Sequence, residues 1–182
     1  MKLVRPTRRQ FFAGVGGALV LASGVVATLR THGYDLPDDV AGKLVGLELW
    51  QYVLVQTAAR RICAADVDDG SVPTADDTDV AGFVDAYVAG MPPALKSDLQ
   101  GLFALVEHGA PVACGFSTRF SKLDAASQDR VLAWLESNDV SLLRGGFAGL
   151  KSLLFMGFYR DPRTWKIVRY DGPKVGRPAL GW

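Results

Sequence analysis

Apolar positions along this chain recur mostly every three to four residues, the period of an amphipathic helix, and no convincing strand pairs or internal repeats appear. Leu44, Leu47, Trp50, Leu54, Ala58 and Ile62 share one face of a predicted helix over 44–62, with Arg60 and Arg61 near its negative C-terminal end. The stretch 66–79, rich in Asp and punctuated by Gly70 and Pro73, predicts a loop. Asp77, Thr78 or Asp79 is then expected to cap a helix over 80–89, which Gly90-Met91-Pro92-Pro93 breaks. Leu95, Leu99, Leu102, Phe103 and Val106 predict a further helix over 94–107, with His108-Gly109-Ala110-Pro111 as its stop and a short irregular stretch over 114–120. Ser121-Lys122-Leu123-Asp124 reads as a helix entrance, Asp124 being the expected N-cap for 125–136, whose buried face is Val131, Leu132 and Leu135. The next helix, 141–159, is more apolar, but Arg144, Lys151 and its glycines mark it as a core helix rather than a membrane span. After Asp161-Pro162 the pattern dissolves into a segment punctuated by Gly172, Pro173, Gly176, Pro178 and Gly181 and reaching Trp182. The expected fold is mainly α: a small helical domain with an irregular Pro/Gly-rich tail from about residue 161, preceded by an N-terminal signal helix.

The N-terminal stretch changes that picture most. Lys2, Arg5, Arg8 and Arg9 form a positive region without an acid, and Phe11 to Thr28 supplies an apolar run diluted by Gly14, Gly16, Gly17 and Gly24. Arg8-Arg9 followed by Phe11-Phe12 resembles a twin-arginine export signal, read by a translocase that moves folded proteins. Val25-Val26-Ala27 is the expected cleavage site, with Ala22-Ser23-Gly24 as competitor. The domain boundaries expected are therefore 1–27 for the signal and 28–182 for one helical domain. A run of roughly 18 apolar residues could also stay as a signal anchor, leaving the protein associated with the inner membrane. Either way the address is periplasmic.

Removing 27 residues leaves about 155, one domain's worth. The signal carries four basic residues and no acid, so its loss turns a net charge of +1 into −3, which argues against nucleic acid as a partner. Cys63 and Cys114 are the only thiols and lack the spacing of a zinc site or covalent haem. They could pair with each other, pair with another chain, or stay reduced.

Catalytic signatures are missing. The G-x-G at Gly14-Val15-Gly16 lies in the signal, and two histidines, His32 and His108, cannot build a three-histidine metal site. His108 is expected at a helix end, as a partner of the terminal dipole. Counting from Asp66, a calcium loop needs its glycine at the sixth position, where Ser71 stands. Gly115-Phe116-Ser117-Thr118-Arg119 fails the nucleophile-elbow pattern at its last position. Glu107 and Glu136, the only glutamates after Glu48, are expected as helix-surface charges. No catalytic, cofactor-binding or metal-binding residue is therefore assigned to this chain.

A resemblance covers roughly residues 44–175. Arg61-Ile62, Asp66, Pro73, Val80, Phe83, Val84 and Asp85 carry its first part. Phe120-Ser121-Lys122-Leu123-Asp124, Arg130-Val131-Leu132, Trp134-Leu135, Arg144, Leu150-Lys151, Phe158-Tyr159-Arg160-Asp161-Pro162, Trp165-Lys166 and Tyr170-Asp171-Gly172-Pro173 carry the rest. In that order they resemble the gluconate 2-dehydrogenase subunit 3 family, from which this chain departs at Cys63, where the family often has proline, and at Arg169, where glycine is common. The resemblance implies a small non-catalytic subunit bound to a large flavoprotein of the glucose-methanol-choline (GMC) type, which holds FAD. It also implies a multihaem cytochrome c, carrying haem c, as a possible further partner, and the twin-arginine translocase as a partner during export. Its function would be assembly, co-export of the folded flavoprotein and stabilisation of the complex. A stand-alone periplasmic enzyme and a membrane-anchored binding or structural protein are the competing classes. On the subunit reading, Cys114 is a candidate for an interchain bond. Tyr159, Trp165, Tyr170, Pro173 and Trp182 are candidates for docking, because aromatic rings in a proline-rich segment have no amphipathic helix of their own in which to bury.

Overall fold

The computed structural model of the protein describes residues 33–34, 40, 42–64 and 71–172. Arg8, Arg9, Phe11 and Phe12 of the expected export signal, both expected cleavage sites, Asp66 to Gly70, Pro173 and Trp182 lie outside the described residues. Among those described there is no strand. Six α-helices follow in order: α1 Leu49–Ile62, α2 Val80–Ala89, α3 Pro93–Ala104, α4 Ala110–Ala113, α5 Ala125–Ser137 and α6 Ser141–Tyr159. A π turn, Leu105–Gly109, joins α3 to α4, and 3-10 segments occupy Phe120–Lys122 and Pro162–Val168.

Helix α6 lies against α1, α2, α5 and the second 3-10 segment, while α1 packs on α2, α3 and α5. Their shared interior is apolar: Leu54, Val55, Phe103, Leu135, Leu150 and Leu154 have no exposed surface, and each such side chain contributes about 1.5–3 kcal/mol by leaving water. That enclosure makes α6 a core helix, and no helix among the described residues is long and apolar enough to cross a membrane.

Helices α2 and α6 have the bounds that the sequence pattern predicts, and α5 runs one residue further, with Asp124 accepting from the Ser127 amide at 3.0 Å. Helix α2 is capped by Asp79, whose carboxylate accepts from the Gly82 amide while its own backbone takes a left-handed φ of 49°. Three expectations fail. Helix α1 begins at Leu49 rather than 44, because the amides of Val45, Gly46 and Leu47 all point at the buried carboxylate of Asp85 on α2, at 3.0, 2.9 and 2.7 Å. Three consecutive amides around one carboxylate form an anion nest, a use of the backbone that excludes helix. The α1 N-terminus is then closed by Gln51, whose side-chain oxygen accepts from the Glu48 amide at 2.9 Å.

Second, His108-Gly109-Ala110-Pro111 does not stop α3. The helix widens by one residue, the Ala110 amide reaching back to the Leu105 carbonyl, and Pro111 sits in the first turn of α4, where its missing N–H is not needed. His108 is consequently inside a continuous helical run and not at a helix end; its ring lies 5.9 Å from that of Trp50. Third, the tail is not irregular over its described part. Asp161 caps the 3-10 segment Pro162–Val168 through the Arg163 amide at 2.9 Å, and Thr164 is buried, donating to the Asp161 carbonyl at 2.8 Å.

Candidate functional site

Three of the candidate docking residues come together where α6 ends. Phe158 is buried and Tyr159, half-buried beside it, meets it edge-on with ring centroids 5.3 Å apart. The 3-10 segment folds back across this end, so that the Trp165 indole N–H donates to the Tyr159 carbonyl at 2.7 Å. Tyr170 then packs edge-on against Trp165, with centroids 5.1 Å apart, and remains 47% exposed. Ile167 and Val168 are exposed beside it, and Lys166 and Arg169 flank them. The result is an aromatic and aliphatic ledge with a basic margin, held to the body by the buried Thr164, the Trp165 indole, Arg163 donating to the Asp77 carbonyl at 3.2 Å and Lys166 donating to the Ser71 carbonyl.

A polar cleft of about 450 Å³ adjoins the ledge, lined by Asp77, Thr78, Asp79, Arg160, Asp161 and Pro162. Arg160 donates to the Thr78 carbonyl at 3.3 Å and lies 5.3 Å above the Phe83 ring. Arg163 forms a fork on Asp161, with Nε and Nη2 at 3.0 and 2.6 Å, and holds that carboxyl below its ordinary value. Asp77 is likewise held low, by the amide and hydroxyl of Thr74. The carboxylates of the cleft are thus committed to local bonds. Among the described residues no group of three or more His, Cys, Asp or Glu is arranged to hold a metal.

Cys114 belongs to a different part of the molecule. It ends α4, half-buried, next to the stretch in which Phe116 lies 5.0 Å beneath the Arg130 guanidinium of α5. Burial pushes its thiol up, and Arg130 pulls it part of the way back. Cys63 caps α1, is buried, and its thiol is pushed up to about 12 by desolvation. Both cysteines are free in this structure.

A second apolar feature opens between α2, α3 and α6. A groove of about 340 Å³ is lined by Tyr87, Met91, Leu95, Leu99, Leu153 and Met156, with glycines of α6 along its floor.

The sequence missed one group of residues altogether. Glu107, read as a surface charge, has no exposed surface. The π turn aims its carboxylate at three donors: the Tyr34 hydroxyl at 2.9 Å, the Ser121 hydroxyl at 2.5 Å and the Ser121 amide at 3.1 Å. Arg119 approaches the same carboxylate at 3.5 Å, lies 3.8 Å over the Tyr34 ring, and also donates to the Gly33 carbonyl. Burial raises the Glu107 carboxyl, against which the Ser121 and Tyr34 bonds and the Arg119 charge act. Burial and the neighbouring Glu107 in turn hold the Tyr34 phenol well above its ordinary value. The signal was present in the spacing: Glu107 falls four residues after buried Phe103 and three before buried Ala110, on the inward stripe. Glu136, by contrast, is exposed as expected and pairs with Lys151 at 2.7 Å.

Comparison with known proteins gives one family. The family described as gluconate 2-dehydrogenase subunit 3 matches residues 50–172, from the second residue of α1 to the last described residue. No curated protein and no solved structure matches the chain.

Proposed function

From the premise that the chain belongs to the gluconate 2-dehydrogenase subunit 3 family, we propose that it is the non-catalytic small subunit of an exported FAD-dependent dehydrogenase complex. The family match carries the reading, since it covers the helical body from Trp50 to Gly172. A dehydrogenase-complex subunit whose buried Glu107 and cleft carboxylates are committed to local bonds has the character of a binding partner. Glu107 is enclosed and saturated, and the cleft carboxylates hold backbone amides and arginines. Substrate oxidation and hydride transfer to FAD would occur on a GMC-type flavoprotein, with a multihaem cytochrome c as electron acceptor.

The N-terminal Arg8-Arg9 pair supplies the second part of the proposal. A flavoprotein that folds around FAD before export needs a route for folded cargo, and a companion bearing a twin-arginine signal provides one. The small subunit then assembles with the flavoprotein in the cytoplasm, carries it to the periplasm and stabilises it there at the inner membrane. The ledge of Trp165 and Tyr170 is its docking surface, and Cys114 offers a thiol for a bond to the partner in the oxidising periplasm. Replacing Arg8 and Arg9 together by Lys should hold both this subunit and the flavoprotein in the cytoplasm, as read by fractionation and dehydrogenase activity. Normal periplasmic flavoprotein activity in that variant would overturn co-export.

A further inference from the structure

Gly33 and Tyr34 follow the expected end of the signal at residue 27 after the short stretch 28–32, yet they are tied to residues far along the chain. The Tyr34 ring is 6% exposed, under the Arg119 guanidinium, and its hydroxyl binds Glu107, 73 positions away. Gly33 holds a positive φ of 77°, and its carbonyl accepts from Arg119, 86 positions away. A side chain at Gly33 would meet the Lys122 ammonium group at 3.3 Å and the Arg119 guanidinium at 3.6 Å, so Gly33 is flanked by the side-chain ends of the stretch that leads into α5. Glu107 is delivered by the π turn, and Arg119 and Ser121 by the stretch around the first 3-10 segment. These two elements pack on each other only in the folded body.

We propose that Gly33–Tyr34 is a fold-dependent strap that fastens the base of the export signal to the finished body. On a folded chain, Gly33 and Tyr34 are held at one fixed place, the Glu107–Arg119–Ser121 socket. On an unfolded chain the socket does not exist and the strap has nothing to hold. The device therefore couples the fold of the body to how the signal is presented, which is what a route for folded cargo requires. It also sets a boundary for processing, because a peptidase needs an extended chain on both sides of the bond it cuts. Leader removal is confined to positions before Gly33, and Tyr34 stays with the mature subunit. The proposal rests on the reading of residues 1–27 as an export signal.

Its test is made on the purified full-length precursor and needs no partner and no export. Chymotrypsin cuts after Tyr or Phe only when the ring enters its pocket, so cleavage after position 34 reports release of the strap. Tyr34→Phe keeps the cleavable ring and removes the hydroxyl bond to Glu107; Arg119→Ala removes the cover. Both should speed the cut after residue 34 at least tenfold while circular dichroism of the helices stays unchanged. Equal cleavage rates in the wild type and Tyr34→Phe, at equal helicity, would overturn the strap. Mass measurement of the periplasmic subunit should place its N-terminus at or before Gly33, and an N-terminus at Tyr34 or beyond would overturn it too. A failure of co-export in the arginine-pair test leaves the chymotrypsin result standing, so the two proposals fall separately.

Discussion

At Glu107 a carboxylate without exposed surface is stabilised entirely by its neighbours, and its response to pH follows from that. Burial raises its value above the ordinary glutamate value of about 4.3. A raised folded value means that the folded state binds the proton more tightly than the unfolded one. The stability associated with that proton is fully present below about pH 4.3 and is lost as pH rises through the folded value. The carboxylates of Asp77, Asp124 and Asp161 act in the opposite sense. Each is held low by local hydrogen bonds, so its contribution is present above about pH 3.9 and lost as pH falls through the lower folded value. Glu107→Gln should therefore remove a decline in stability above pH 4.3. Urea midpoints at several pH values from 4 to 8 should give a flatter curve for the variant, and parallel curves would contradict the burial argument. Asp124 was plain in the sequence because a cap depends on its own helix alone. Glu107 was obscured because its partners Tyr34 and Ser121 are separated from it by 73 and 14 positions.

Among the elements, those whose ends are set by local chemistry were legible: α2 with its cap, α5 with Asp124, and α6 between Val140 and Arg160. Elements altered by a distant partner were not. Residues 45–47 look helical by spacing, yet their amides serve Asp85, some 40 positions away. The Gly-Ala-Pro sequence looks like a stop, yet the run continues because one inserted residue in a π turn gives Pro111 a tolerated position. Two glycines expose the difference between a packed and an open helix face. A Cβ at Gly46 would sit 2.2 Å from the Asp85 carbonyl oxygen and 2.5 Å from the Ala89 nitrogen, backbone atoms that cannot step aside. A Cβ at Gly149, on the groove floor, meets nothing within 4 Å. Gly46→Ala should cost about 3 kcal/mol or more through overpacking. Gly149→Ala should stabilise the isolated chain by about 0.5–1 kcal/mol by restricting the unfolded backbone. Denaturant titration of both decides, and an equal effect of the two substitutions would contradict the packing described here.

At the scale of the whole molecule, the ledge beyond α6 is the surface that the proposed docking role puts to the test. The sequence marked its aromatic residues, but it did not show that Trp165 is pinned to Tyr159 while Tyr170 stays half in solvent, because that depends on a 3-10 turn anchored by Thr164. Changing Trp165 and Tyr170 together to Ala should weaken assembly with the flavoprotein by about 2 kcal/mol or more, as truncation of central aromatic residues does. Helicity of the isolated subunit should remain nearly unchanged. Co-purification yield and circular dichroism, read as a pair, check this: a collapse of helicity would assign the rings to the core, and unchanged yield would remove them from assembly. The strap at Tyr34 also places the molecule on a clock. Its hydroxyl must wait for Glu107, 73 residues later in synthesis, a delay of roughly 4–15 s at cellular elongation rates. Throughout that interval the expected signal has already been translated while the socket has not, so the fastened arrangement is reserved for chains whose synthesis has passed Ser121, 14 positions beyond Glu107.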